Sequence, residues 1–144
     1  MPSAIRHITV NCAEPYEPYD LAEFWSAVTG CPVHPEDERG DDEVGLLPAV
    51  EGGPMMLFIR VPDAKGAERN RVHLDIEPST TRDEEYERLL RLGAKLVSDE
   101  RRPDGRGWIV LADPVGNEFC VERSQAEKDE YARRQAPGEG SSQG

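Results

Sequence analysis

Two stretches of the chain alternate between polar and apolar residues. In Ile5–Asn11, His7, Thr9 and Asn11 fall on one face of an extended segment, and Ile8 and Val10 on the other. In Arg71–Glu77, the residues Arg71, His73, Asp75 and Glu77 face one way, and Val72, Leu74 and Ile76 the other. Helical periodicity follows each. Leu21, Phe24, Trp25 and Val28 form the apolar stripe of a first helix, with Asp20 as expected N-cap, Glu23 closing a capping box and Gly30 as the stop. A second helix begins near Thr80 or Thr81, with Thr81 and Glu84 at capping-box spacing. It carries Tyr86, Leu89, Leu90 and Leu92, and ends at Gly93.

Both helices lead into a short β-like stretch, Cys31–His34 and Ala94–Ser98, and then into two further strand candidates. These are Glu43–Val50 and Met55–Val61 around a Gly-Gly-Pro turn, and Trp108–Ala112 and Glu118–Arg123 around Asp113-Pro114-Val115-Gly116-Asn117. Alternation in Met55–Val61 groups Met56, Phe58 and Arg60. The order β-α-β-β-β thus occurs twice, which predicts an α+β fold of eight strands with helices on one face and polar strand faces on the other. The folded unit is read as residues 1–123, with modules at about 3–62 and 70–123. Residues 124–144 form a polar tail. Its first part, 124–135, has only Tyr131 and two alanines as apolar side chains and suits a frayed, solvent-facing helix; the remainder is expected to be disordered.

Charge narrows the classes of partner. Lys and Arg total 17 against 29 Asp and Glu, a formal net charge of -12, which disfavours nucleic acid and anionic membrane. No apolar run approaches the ~20 residues of a membrane span, and Met1–Arg6 lacks the layout of a signal peptide. Cys12, Cys31 and Cys120 form no close spacing motif, so reduced thiols in a cytoplasm are expected. A Gly-rich phosphate loop and a nucleophile elbow are both missing from the sequence.

Four segments in order on the doubled pattern carry a resemblance. They are Leu21-Ala22-Glu23-Phe24-Trp25 running to Gly30, Asn70-Arg71-Val72-His73-Leu74-Asp75, Leu92-Gly93-Ala94, and Asp113-Pro114-Val115-Gly116-Asn117-Glu118-Phe119. Together they resemble the vicinal oxygen chelate superfamily of glyoxalase I, extradiol dioxygenases and bleomycin-resistance proteins, and within it the glyoxalase-like branch. The resemblance implies two curled mixed sheets around a cleft. It also implies pairing of modules within a chain or between two, hence a homodimer, and metal ligands from the first and last strands of the modules.

On that resemblance His7 and His73 occupy the first-strand ligand positions. The last-strand carboxylate, seven residues after Asp113, is replaced by Cys120, with Glu122 two residues on and sharing its face. Met55–Val61 offers no acid or amide. His7, His73 and Glu122 are therefore the candidate metal ligands, for Zn, Ni, Mn or Fe, and the candidate proton-transfer groups. Cys120 reads either as a thiolate substitute that favours Zn, or as a small buried hydrophobe. The alternative for both histidines is a polar residue that lines a cleft or hydrogen-bonds a neighbouring strand. Thr9, Met56, Phe58, Arg60, Asp75 and Cys120 are expected to line the substrate cleft, with Arg60 or Arg71 holding an anionic or carbonyl group. Three functions follow: an enzyme on a small organic molecule, a metal-dependent lyase, isomerase or extradiol-type dioxygenase, and a protein that sequesters a drug or metabolite. An acidic protein suits a cationic ligand for the last of these.

Overall fold

The first alternating segment becomes strand β1 (His7–Ala13), and the helical stripe after it becomes α1 (Pro18–Thr29). In the order of the chain, β2 (Glu43–Gly45), β3 (Met55–Val61), β4 (Leu74–Ile76), α2 (Arg82–Leu92), β5 (Lys95–Asp99), β6 (Ile109–Ala112), β7 (Glu118–Val121) and α3 (Gln125–Gln135) follow. The structure is a computed structural model describing residues 2–136; most of the stretch expected to be disordered, 137–144, lies outside the described residues. Two mixed sheets result. The first has the order β1-β3-β2 and the second β4-β7-β6-β5, with β1/β3 and β4/β7 parallel. Among the described residues seven strands form, not eight. Cys31–His34 contributes only a bridge between Val33 and Leu46. No described helix is long and apolar enough to cross a membrane.

Helix ends follow local chemistry. Gly30 and Gly93 take φ of 79° and 112°, the left-handed geometry that only glycine adopts cheaply. Thr81 accepts from the Glu84 backbone N–H at 3.1 Å, as its spacing predicts. Asp20 does not cap α1. Pro18 has its φ preset for the first helical turn, so the helix starts there with Glu17 as N-cap, and Asp20 lies inside the first turn.

Both helices pack on one continuous core. Phe24 and Trp25 of α1 and Leu89 of α2 meet Cys12, Val44, Leu46 and Phe58 of the first sheet and Ile109, Leu111, Phe119 and Val121 of the second. The ring centroids of Trp25 and Phe119 are 4.9 Å apart, an edge contact that crosses from one module to the other. Asp113, 1% exposed, fixes the same junction. It accepts from the Trp25 indole at 3.0 Å, from the backbone of Val115 and Asn117, and from the Asn117 amide. That amide also donates to the Asn11 carbonyl at 3.2 Å. Burial pushes the Asp113 carboxyl up, and the Trp25 and Asn117 donors work against that rise.

The register of β1 on β3 corrects one expectation. Val10 lies opposite Phe58 and Cys12 opposite Arg60, so Met56, Phe58 and Arg60 share the helix-side face. Phe58 is wholly buried in the core and so lines no open cleft, and the half-buried Met56 packs against that core. Arg60 instead pairs with Glu17 and Asp42, both at 2.9 Å, beside the start of α1. The polar segment 124–135 is a helix fastened at its beginning. Ser124 and Glu127 complete a capping box, and the Glu127 carboxylate also accepts from the Arg82 backbone N–H at 3.1 Å.

Candidate functional site

Strand β7 lies between β4 and β6, so its side chains divide cleanly. Phe119 and Val121 enter the core, while Glu118 and Cys120 point to the far face. The β4/β7 register puts Asp75 opposite Cys120. His73 stands one residue before β4. One ligand-type atom from each of His73, Asp75 and Cys120 lies within 4.8 Å of the other two. His73 Nδ1 and Asp75 Oδ1 are 3.7 Å apart, close enough for charge but too far for a hydrogen bond. Both are exposed, whereas Cys120 is 6% exposed. Burial first, and then the Asp75 carboxylate, pushes the Cys120 thiol up to about 11.

These three groups form one wall of a cavity of about 420 Å³. The loop joining β5 to β6 supplies Arg102, Arg106 and Trp108, and the chain after β7 supplies Glu122, Arg123 and Lys128. The loop is tightly held. Arg102 N–H donates to the Arg106 carbonyl at 2.8 Å, and Gly107, at φ 98°, has no room for a Cβ, which would sit 2.1 Å from the Glu100 carbonyl oxygen. Arg82, 6% exposed, sends one guanidinium nitrogen to the carbonyls of Gly105, Arg106 and Gly107 at 3.0–3.2 Å.

A second cavity, of about 450 Å³, separates β1 from β4 and β7. Its walls are mainly apolar, from Ile8, Val10, Val61, Leu74 and Phe119, with Thr9, Asn11 and His73 also lining it. The segment between β3 and β4 runs along one side. Lys65 Nζ lies 3.1 Å from Glu118 Oε1, and Arg69 pairs with the same carboxylate. Burial alone would raise the Glu118 carboxyl; these two cations more than offset it and hold it below its usual range.

The expected constellation is thus rearranged. His73, Asp75 and Cys120 come together on the second sheet. Glu122 lines the same cavity but is not among the three clustered donors, and Lys128 lies 3.6 Å from it. His7 is exposed at the start of β1 and is neither in this donor group nor among the residues lining these two cavities. β1 and β4 belong to different sheets and do not pair, yet Thr9 and Asn11 of β1 line the second cavity together with His73. Sequence reasoning missed Arg102, Arg106, Arg123 and Lys128, which carry no periodic signal. Only the density of arginine between residues 101 and 106 pointed there.

Residues 7–122 match the family model described as the glyoxalase-like domain. The chain belongs to this family. It is a glyoxalase-like domain of the vicinal oxygen chelate superfamily, as the four sequence segments implied. Solved structures share the fold. A glyoxalase/bleomycin resistance protein/dioxygenase family enzyme from Burkholderia phytofirmans PsJN aligns with a TM-score of 0.61 and 16% identity over 83% of this chain and 97% of its own. A variant of the fosfomycin resistance protein FosX from Listeria monocytogenes, in complex with Mn(II) and 1S,2S-dihydroxypropylphosphonic acid, aligns at 0.62 and 20% over 90% and 99%. A lactoylglutathione lyase from Agrobacterium tumefaciens aligns at 0.55 and 18% over 88% and 96%. None of the curated proteins matches this sequence. Lyase, resistance protein and dioxygenase-family enzyme thus share one scaffold, and the reaction is decided by the site.

Proposed function

We propose that this glyoxalase-like domain is an enzyme acting on a small oxygenated organic molecule, bound over the second sheet beside His73, Asp75 and Cys120. The observation that carries this reading is the convergence of an imidazole, a carboxylate and a thiol at one wall of a ligand-sized cavity. The donor set fits a divalent ion of the zinc class. Nitrogen, oxygen and sulfur come from one module, with sulfur favouring a softer metal than an all-oxygen site would. The four-ligand, two-module set of the superfamily is incomplete, because β3 bears no acid, amide or imidazole, and His7 is outside this donor group. When bound, a divalent ion supplies Lewis-acid polarisation of a ligand oxygen. Manganese in the FosX complex supports metal use on this scaffold.

The chain's own groups have separable tasks. Cys120 holds its proton at neutral pH and is not a free nucleophile; ligation would require the proton to leave Sγ. Asp75, opposite Cys120, would take up that proton, and the exposed His73 ring lines the cavity, placed to move a proton to or from the ligand. Three unpaired cysteines suit a cytoplasmic setting.

Metal analysis after loading with Zn, Ni, Mn or Fe tests the reading. One zinc per chain is expected for the parent and for His7→Ala, and at least a tenfold weaker site for Cys120→Ala and His73→Ala (about tenfold or more by analogy with lost ligand-shell contacts). A parent chain that binds no zinc, or a Cys120→Ala variant that keeps it, would contradict the assignment.

The outer face of the first sheet supports a homodimer. Met55, Leu57 and Ile59 share it with the exposed His7, Thr9 and Asn11. A second copy of the chain would cover this apolar row. Light scattering should return twice the 16.0 kDa chain mass, with Leu57→Glu shifting the protein toward monomer; a parent that is monomeric at high concentration would refute the pairing.

A further inference from the structure

The cavity over the second sheet has a charge opposite to that of the molecule. The chain carries -12 overall, yet four cationic side chains, Arg102, Arg106, Arg123 and Lys128, line this cavity against the carboxylates of Asp75 and Glu122. Two of the cations are already engaged. Arg106 pairs with Asp104 at 2.8 Å, and Lys128 lies 3.6 Å from Glu122. Among the described residues Arg102 and Arg123 have no carboxylate partner at ion-pair distance. Arg123 is partly enclosed: its Cζ sits 5.5 Å from the centre of the Tyr131 ring, and its Nη1 is buried with no protein acceptor. A buried guanidinium N–H without an acceptor is costly unless a ligand satisfies it. Trp108, 41% exposed, lines the same space and offers an aromatic face.

We infer that this cavity selects an anionic ligand, specifically a small aromatic carboxylate whose charged end meets Arg102 and Arg123 and whose ring lies against Trp108. The inference rests on reading this cavity as the ligand site and adds the class of ligand. A guanidinium fork matches a carboxylate in two parallel hydrogen bonds, and an indole provides stacking area at little entropic cost. The site is preorganised. Arg82 fixes the carbonyls of residues 105–107, and the Arg102–Arg106 backbone bond closes the turn that presents Arg102. The net charge would by itself favour a cationic ligand at long range, but close to the site the uncompensated guanidiniums set the sign.

The chain has two tryptophans, and this allows a direct test. Trp25 is buried against Asp113 and serves as an internal reference, while Trp108 lines the cavity. Salicylate, benzyl alcohol, benzylamine and inorganic phosphate are titrated separately while both indole N–H resonances are followed by NMR. Salicylate should move the Trp108 signal, leave Trp25 in place, and bind more tightly than the other three. Its affinity should fall about ten- to hundredfold in Arg102→Gln and in Arg123→Gln, and should weaken with added salt. Arg102 is exposed, so its variant keeps the fold even if the Arg123 variant does not. Benzyl alcohol, benzylamine or phosphate matching salicylate at Trp108, or unchanged salicylate affinity in Arg102→Gln, would overturn the anion assignment while leaving the cavity a ligand site. If no compound moves Trp108, the reading of the cavity as the ligand site fails as well.

Discussion

A thiol reacts as its thiolate, and Cys120 is held from that form by burial and by the neighbouring Asp75 carboxylate. Cys12 is likewise pushed up to about 11, by burial first, although the nearby Arg60 works against it. A shift of this size makes the thiolate about a hundredfold scarcer near neutral pH than for an ordinary thiol. Alkylation followed by peptide mass spectrometry should therefore find Cys31, the least buried of the three, modified at pH 8, with Cys12 and Cys120 protected until the pH approaches 11. Asp75→Asn should make Cys120 react at lower pH. Modification of Cys120 at pH 8 as fast as Cys31 would contradict the environment described. The folded state holds these protons more tightly than the unfolded chain, so the contribution to stability is complete below about pH 9 and is lost as the pH rises toward 11.

At the scale of elements, sequence pattern was legible where the period was strict or the turn chemistry specific. The alternation around β1, the glycine stops of both helices, and Thr81 as a cap all followed from local rules. Strand β3 did not yield in the same way. Every residue in it except Arg60 is apolar, so a two-residue period separates two faces without saying which meets α1. Pairing with β1 decides that, and it sends Phe58 inward. The β5–β6 loop has no period at all, and its shape depends on Arg82, a residue at the start of α2. Arg82→Ala should cost about 2–4 kcal/mol, because three carbonyls lose a buried charged donor. Urea unfolding measures that loss. An unchanged midpoint would mean that the loop is held by other contacts.

Over the whole molecule, the doubled βαβββ order and the Asp113–Asn117 turn identify the glyoxalase-like family and predict two mixed sheets; what they leave open is which polar groups meet. That depends on how the modules pack. Trp25, Phe119 and Asp113 join the modules on their helix side, and His7 is not among the donors clustered around His73. The donor group proposed here as the site lies within one module. His73 and Asp75 were visible in the sequence as two residues apart on one strand face. Cys120 was visible as the substitute for a carboxylate, but only register joined the three. Cobalt(II) titration addresses this arrangement most directly, since a thiolate bound to cobalt absorbs strongly in the near ultraviolet. That band is expected in the parent and in His7→Ala, and is expected to vanish in Cys120→Ala. A band that persists without Cys120, or that disappears when His7 is removed, would refute the donor group around Cys120.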